Sequence, residues 1–596
     1  MNIRRNIIIL LVLFTGVVFI IQLYRIQVLE TKYKLSAENN TFRHIPQHPA
    51  RGVIYDREGR VVVGNGPIYN LKVYPNKLSP FDTTGFLKIT GLTKKELKQI
   101  LSGGKRFKSV TLLKEISQKN YAELQEFLYR FPDFYVEKKA LRIYPIPTAA
   151  HILGYIGETN DDDIENDNYY RLGDYIGKSG VEKNYEKYLR GKKGVKIFLA
   201  DSKNRIQASY ADGKYDTTAI AGKDIVLSID VELQKYGEDL MKNKIGGIVA
   251  IEPSTGEILA LVSSPSYDPS LFVGKKLREN FNKVAQAKNK PLYNRAIKSR
   301  YPPGSTFKPI NALIALEKKV ITEKTVFVVN GYWAGSHYVG DHVFGAVDLV
   351  KSIQLSSNAY YCHVFGRILN NKEFESIDDA YNDWKSAVQS FGMGVKLGTD
   401  LSYEDKGLIY PSTYFDKYYG KGHWSHNTLI SLAFGQGELG FTPLQLANAA
   451  AVIANEGYYY KPHIVKGISG DEIDPQYQIR YYSAIGSEHF PVVKEAMEKV
   501  VSAGTARRAY LKHIEICGKT GTAQNPHGDD HSIFMAFAPK DNPKIAIAVY
   551  VENAGYGSTW AAPISSLMIE KYLTDSISNT WREGRILKGD LIKDDK

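Results

Sequence analysis

From Ile7 to Ile21 no position is charged, and only Thr15 and Gly16 soften the apolar run. With Gln22, Leu23 and Tyr24 the stretch reaches about 18 residues, enough to cross a hydrocarbon core. No small-x-small cleavage site follows, because Gln22, Leu23, Tyr24 and Arg25 are large or charged. The pattern therefore predicts an uncleaved anchor. Beyond it, to about Asn204, polar and apolar positions mix without one dominant period. Strand-like runs at Val61–Val63 and Leu71–Val73 alternate with helical ones such as Tyr121–Tyr129. Turn residues at Asp212-Gly213 and at Ala221–Asp224 mark a boundary near residue 220.

The pattern then sharpens. Asp230 reads as an N-cap ahead of Leu233 and Tyr236. Gly247–Ile251 and Ile258–Val262 are apolar runs joined by Pro253-Ser254-Thr255-Gly256, a β-hairpin signature. Near the end, Ile514–Thr522, Ile533–Ala538 and Ile545–Val551 read as three strands, and Pro563 opens a helix to about Tyr572. A sheet drawn from both ends of a region, with helical sequence between, implies an α+β fold. The division expected is a head at 1–5, an anchor at 6–24, a first domain at 25–220, a second at 221–575, and a polar, loose tail at 576–596.

Length and composition narrow the class. A chain of 596 residues, 43% hydrophobic and 24% charged, holds two or three folded domains and is not largely disordered. The net charge of +13 does not choose between nucleic acid, anionic lipid and acidic polymer. Basic residues lie on both sides of the apolar run (Arg4 and Arg5 before; Arg25, Lys32 and Lys34 after), so the short head, rather than charge, favours a cytoplasmic N-terminus. Cys362 and Cys517 form neither a disulfide framework nor a metal pair and read as buried small hydrophobes. Gly177-Lys178-Ser179 is no phosphate loop, because Leu172 stands where glycine is needed. The basic run Lys183–Lys193 reads as a solvated face, not a nucleic-acid site.

Three short motifs carry chemistry. Ser305-Thr306-Phe307-Lys308, opening the helical run Ile310–Leu316, places Lys308 one turn from the Ser305 hydroxyl. A serine hydroxyl is a poor nucleophile until a neighbour takes its proton, and lysine does so only when burial or a nearby cation lowers its pKa. Ser356-Ser357-Asn358 interrupts two helical runs. Its hydroxyl can relay protons and its amide can hold a substrate backbone. Lys519-Thr520-Gly521-Thr522 lies on a predicted strand. Lys519 and Thr520 suit a carboxylate, Gly521 admits a second backbone, and Lys519 is the cation expected to depress Lys308. Each motif alone is common. Ser102-Gly103-Gly104-Lys105 also fits the first and reads as a turn. His337, Asp341 and His342, and His527, Asp529, Asp530 and His531, show no complete metal-ligand set.

The motifs in this order resemble the penicillin-binding protein and serine β-lactamase superfamily. Tyr301–Pro309, Gly435-Gln436-Gly437, Thr442–Ala447 and Phe534–Pro539 are similar to class B penicillin-binding proteins of the elongation type. So are Arg51–Arg57 and Gly177–Lys183. The resemblance covers most of the chain. It implies a pedestal of the dimerisation type, a transpeptidase domain, and stem peptides ending in D-Ala-D-Ala as substrates. It assigns Ser305, Lys308, Ser356 and Lys519 to catalysis and Asn358, Thr520, Gly521 and Thr522 to substrate binding, with neither cofactor nor metal. Some elongation-type relatives bind zinc through Asp, Asp, His and Cys beside the site; here Ser357 stands where that pattern has cysteine. It further implies β-lactams as covalent ligands, a polytopic glycosyltransferase of the shape, elongation, division and sporulation group with scaffold proteins as partners, and an extracytoplasmic (periplasmic) catalytic domain on the inner membrane. A β-lactam sensor, an idle scaffold or a septal enzyme of the same fold are the alternatives.

Overall fold

The computed structural model describes residues 2–25, 42–75, 78–102, 109–200, 206–274, 276–335, 338–526 and 528–592. His337, His527, Gly103-Gly104-Lys105, Lys32 and Lys34 lie outside them. The apolar run forms the helix Asn2–Tyr24, whose stretch Arg5–Tyr24 has a mean hydropathy of 2.8. At 1.5 Å per residue that is about 30 Å, the thickness of a bilayer core. Thr15 does not weaken it, because its hydroxyl donates to the Leu11 and Val12 carbonyls at 3.0 and 2.9 Å.

The chain divides into two compact units that interleave along the sequence. One gathers the chain up to Gly52 with Asn65–Leu141 and Arg190–Gly222; the other gathers Val53–Gly64, Arg142–Leu189 and the chain from Lys223 on. In the first unit Tyr69–Val73 pairs with Val110–Ile116 over a small core in which Phe86 and Phe134 stack at 4.4 Å. A separate sheet there joins Phe42–Gln47, Gly194–Ala200 and Ile206–Ser209. The runs at Val61–Val63 and Leu71–Val73 belong to one strand, Val61–Val73. Ladder pairing carries it through Gly64–Pro67, where local propensity alone places a break.

The second unit is built on five antiparallel strands: β1 (Gly246–Ile251), β2 (Ile258–Ser264), β3 (Cys517–Ala523), β4 (His531–Ala538) and β5 (Ile545–Val551). Their spatial order is β2-β1-β5-β4-β3. Every residue of β1, β2 and β5 is buried, so helices cover both faces of the sheet. The labelled helices of this unit are α1 (Val231–Leu240), α2 (Lys308–Glu317), α3 (Asn358–Leu369), α4 (Pro443–Ala454), α5 (Phe490–Ala503) and α6 (Ala561–Thr574). Helices α1, α4 and α6 pack on the sheet. Asp230 caps α1, accepting from the Glu232 and Leu233 N–H groups at 3.0 and 3.2 Å. Thr442 and Gln445 form a reciprocal capping box at the start of α4, which is buried on all sides. The architecture is the expected α+β.

Within the early segment Arg142–Leu189, Arg142 and Glu182 lie 2.7 Å apart with almost no exposure, a pair that costs about 3–5 kcal/mol to break by removing one partner. Other polar pairs join the early segments to the later part of this unit. The Tyr185 hydroxyl donates to Asp400 at 2.8 Å, and Arg57 reaches Glu252 at 3.0 Å. The tail departs from the expected looseness. Residues Thr580–Leu587 form a helix, Ile586 is buried, and Lys244 donates to the Gly589 carbonyl at 3.0 Å. Polar contacts add to this docking: Tyr236 donates to Glu583 and Arg582 to Ser566 Oγ, both at 2.9 Å. A hairpin, Phe327–Ala334 with Tyr338–Val347, also stands where helical sequence was expected.

Candidate active site

Three backbones press together at the edge of the sheet. Gly304–Phe307 is a 3-10 turn running into α2, and in that geometry residues i and i+3 eclipse. Ser305 is half-buried, while Thr306, Phe307 and Lys308 are buried. Helix α2 is held by Asn311, which accepts from Trp384 Nε1 and donates to the Ala433 carbonyl, both at 2.9 Å. The Gly304 N–H donates to the Gly435 carbonyl at 2.8 Å, and Gly435 has φ +76°. A Cβ on Gly435 would stand 2.2 Å from the Gly304 oxygen, and one on Gly521 would stand 2.8 Å from the Pro303 oxygen. The close approach expected at Gly521 is thus realised against the turn that carries Ser305. Gln436 Nε2 donates to the Thr522 carbonyl at 2.9 Å. Gly435→Ala is accordingly expected to slow acylation by a labelled penicillin about 100-fold, since small misplacements of a reacting group cost that much. The second-order rate constant of acylation measures it.

The second motif enters through a left-handed residue. Ser356, at φ +62°, sits between the helix Leu349–Gln354 and α3, and Ser357 caps α3 by accepting from the Tyr360 N–H. The Lys308 ammonium donates to the Ser356 carbonyl at 2.6 Å, the Ser356 hydroxyl at 3.2 Å and Asn358 Oδ1 at 2.7 Å. Lys519 Nζ donates to the same Ser356 hydroxyl at 2.8 Å and to the Thr520 carbonyl at 3.1 Å. One hydroxyl therefore joins two lysines that come from opposite ends of the domain sequence. Thr520 Oγ1 lies 2.8 Å from Thr505 Oγ1, a partner the motifs do not announce.

Both lysines are fully buried, and burial is the main force on each. It lowers Lys308 to about 7, against the opposing pull of Asp341. Lys519 is driven well below its ordinary value by burial first and by repulsion from Lys308 second. Burial is thus the larger force on Lys308, and the two amines, joined through the Ser356 hydroxyl, repel each other when both are charged. Asn358 differs from expectation. Its amide is engaged at both ends, by Lys308 and by the Gly340 carbonyl at 3.0 Å.

The remaining candidates take no part in the hydrogen bonds that join Lys308, Ser356 and Lys519 among the described residues. Cys362 and Cys517 are buried, free thiols. His342 is largely exposed, and His531 Nδ1 accepts from the Asn553 N–H at 3.1 Å. Among the described residues no three His, Cys, Asp or Glu side chains gather to hold a metal. Asp341, read from sequence only as part of a histidine-rich stretch, instead accepts from Ser357 Oγ at 2.5 Å.

A half-exposed serine, two buried lysines sharing a second serine, and a Lys-Thr-Gly edge strand define the class of serine acyltransferases that includes penicillin-interacting enzymes. Residues 246–570 match the penicillin binding protein transpeptidase domain, and residues 46–227 match the penicillin-binding protein dimerisation domain. The chain belongs to the penicillin-binding protein transpeptidase family. It is 33% identical to a peptidoglycan D,D-transpeptidase MrdA of Acinetobacter baumannii, over 92% of this chain and 84% of the relative. Among solved structures it is similar to Pseudomonas aeruginosa PBP2 in complex with WCK 5153, at 30% identity and a TM-score of 0.66, covering 90% of this chain and 97% of the other. It is also similar to the Helicobacter pylori PBP2 complex with MreC, at 25% identity and a TM-score of 0.73, covering 89% and 99%.

Proposed function

We propose that this chain is a serine-type peptidoglycan D,D-transpeptidase that cross-links stem peptides through an acyl-Ser305 intermediate. The observation that carries the chemistry is the Ser356 hydroxyl held between Lys308 and Lys519, with Ser305 on the 3-10 turn that runs into Lys308. A lysine with its pKa lowered to about 7 is a usable base near neutral pH. Lys308 takes the Ser305 proton as the oxygen attacks the penultimate D-alanine carbonyl. The oxyanion lies between the Ser305 and Thr522 N–H groups, where preorganised donors contribute about 3–4 kcal/mol each. Terminal D-alanine leaves as its nitrogen takes the proton that Lys308 removed from Ser305, passed on through the Ser356 hydroxyl that Lys519 also holds. An amine of a neighbouring stem peptide then attacks the acyl carbonyl and releases Ser305. Lys519, Thr520 and Thr522 receive the substrate carboxylate, Gly521 lets its backbone approach, and Asn358 turns its amide to the peptide once Lys308 is neutral. β-Lactams acylate the same oxygen.

The apolar helix anchors the protein in the cytoplasmic membrane with its catalytic unit on the outer side, and the first unit serves as the pedestal. The MrdA relative and the PBP2 structures support an elongation role rather than a septal one. The H. pylori complex supports an MreC-like scaffold as partner, and the family resemblance a polytopic glycosyltransferase. Mass spectrometry of the penicilloyl adduct tests the reading, together with a cross-linking assay dependent on an acceptor amine. An adduct on Ser305 with acceptor-dependent cross-links is expected. An adduct elsewhere removes the nucleophile assignment, and binding without cross-links makes the protein an idle scaffold.

A further inference from the structure

Most of the hairpin Phe327–Ala334/Tyr338–Val347 is open to solvent, but the single acidic side chain of its strands is not. The Asp341 carboxylate has no exposed surface and accepts four hydrogen bonds. Oδ2 accepts from Ser357 Oγ at 2.5 Å and the Ala359 N–H at 2.8 Å; Oδ1 accepts from the His342 and Val343 N–H groups at 2.7 and 3.2 Å. None of these donors is a cation. The adjacent Gly340 carbonyl accepts from Asn358 Nδ2. Two consecutive hairpin residues thus grip the turn Ser356–Ala359 from one side, while Lys308 grips it from the other. The turn needs support, because a left-handed non-glycine residue such as Ser356 costs about 1–2 kcal/mol. The negative charge also lies at the N-terminus of α3, where a helix favours an anion.

We propose that Asp341 is a positioning residue for acylation: its buried carboxylate clamps the Ser356–Ala359 turn and lays a negative charge near Lys308, so setting when that amine is free to act as a base. This rests on the roles proposed above for Ser305 and Lys308. Lys519 faces Lys308 across the Ser356 hydroxyl. From α3 come Cys362 and Tyr361, the latter ring centred 5.8 Å from Lys308 Nζ. Burial lifts the Cys362 thiol to about 12 and the Tyr361 hydroxyl higher still, so both stay neutral near pH 7. His342, 3.7 Å from Asp341 Oδ1, projects into water. The charges that bear on Lys308 from within the site are therefore Lys519 and Asp341, of opposite sign. Asp341 favours the ammonium and burial opposes it. Removing the carboxylate charge lets the free amine persist to lower pH.

The test is the rate of acylation by a fluorescent penicillin, from about pH 5.5 to 9, for full-length wild type, Asp341→Asn and Ser357→Ala, with thermal melts alongside. Asp341→Asn keeps an acceptor for Ser357 and loses the charge. Its acid limb is expected to move to lower pH by roughly half a unit or more, with a lower plateau because an amide nitrogen now faces the His342 and Val343 N–H groups. Ser357→Ala keeps the charge and loses one strand of the clamp, so its plateau is expected to fall while its acid limb stays in place. An Asp341→Asn limb that overlies wild type overturns the electrostatic role. A Ser357→Ala plateau equal to wild type overturns the clamp, and that arm stands even if Asp341→Asn fails to fold. Mapping the wild-type adduct separates the two levels. A label on Ser305 with unmoved limbs defeats this proposal alone, whereas a label elsewhere defeats the functional reading beneath it.

Discussion

Ser305→Ala protein is expected to take up no labelled penicillin and to form no cross-links with an acceptor amine, while melting within a few degrees of wild type. In the proposed reaction the acyl group is carried on the Ser305 oxygen, so alanine removes the route itself rather than slowing it. Stability is spared because Ser305 is half-exposed at the mouth of the site, while the packing of the turn is carried by its neighbours. Thr306 donates to the Pro303 carbonyl at 2.6 Å, and Phe307 packs edge-on against Trp384. Exposed substitutions of this kind stay within about 0.5 kcal/mol. Gel fluorescence after penicillin treatment, with calorimetry on the same samples, checks both halves.

Lys308→Met is expected to leave the nucleophile in place and slow its acylation by about 10²–10⁴-fold, the usual worth of a positioned general base. In wild type the acid limb of the rate profile should have its midpoint near pH 7, because acylation needs the neutral amine and burial lowers its pKa to about that value. The sign follows directly: below pH 7 Lys308 gains its proton and the rate falls, and above it the rate levels off. The methionine protein has no such group, so its residual rate should lose that limb. Its stability should change little. The thioether leaves the Ser356 carbonyl and Asn358 Oδ1 without a donor, at about 1–3 kcal/mol each, but it also removes an amine that is costly to bury.

The three motifs were legible in the chain because each is short and contiguous, and the structure brings Lys308, Ser356 and Lys519 together. Ser305 and Lys308 are one turn apart, and Lys519-Thr520-Gly521 form one strand edge. The hairpin β1–β2, the strands β4 and β5, the helix α6 and the Asp230 cap were legible for the same reason, as each is written in contiguous periodicity or capping chemistry. What escaped depends on partners far away in sequence. Asp341 supports Ser357 from a separate element, and nothing about an aspartate among histidines announces a buried clamp. Gly435 has no room for a side chain against the Gly304 oxygen, nor Gly304 against Thr522, yet these approaches are tertiary events. For Lys308 a nearby cation could be named from sequence, whereas its depth of burial, the larger cause of its shift, must be built. Interleaving of the two units was invisible because Tyr185 and Arg57 are ordinary polar residues until Asp400 and Glu252 stand beside them.

The strand order β2-β1-β5-β4-β3 carries a consequence for how the chain matures. As the polypeptide is made, the β1–β2 hairpin emerges early, but the edge that β5 will cover must wait for a further stretch of about 290 residues, some 15 to 60 seconds at ordinary synthesis rates. Throughout that interval an apolar ribbon presents unpaired backbone to its surroundings. A nascent chain of this design calls for a holding chaperone during synthesis, and interrupting translation before Ile545 should leave a product prone to aggregation and quickly degraded.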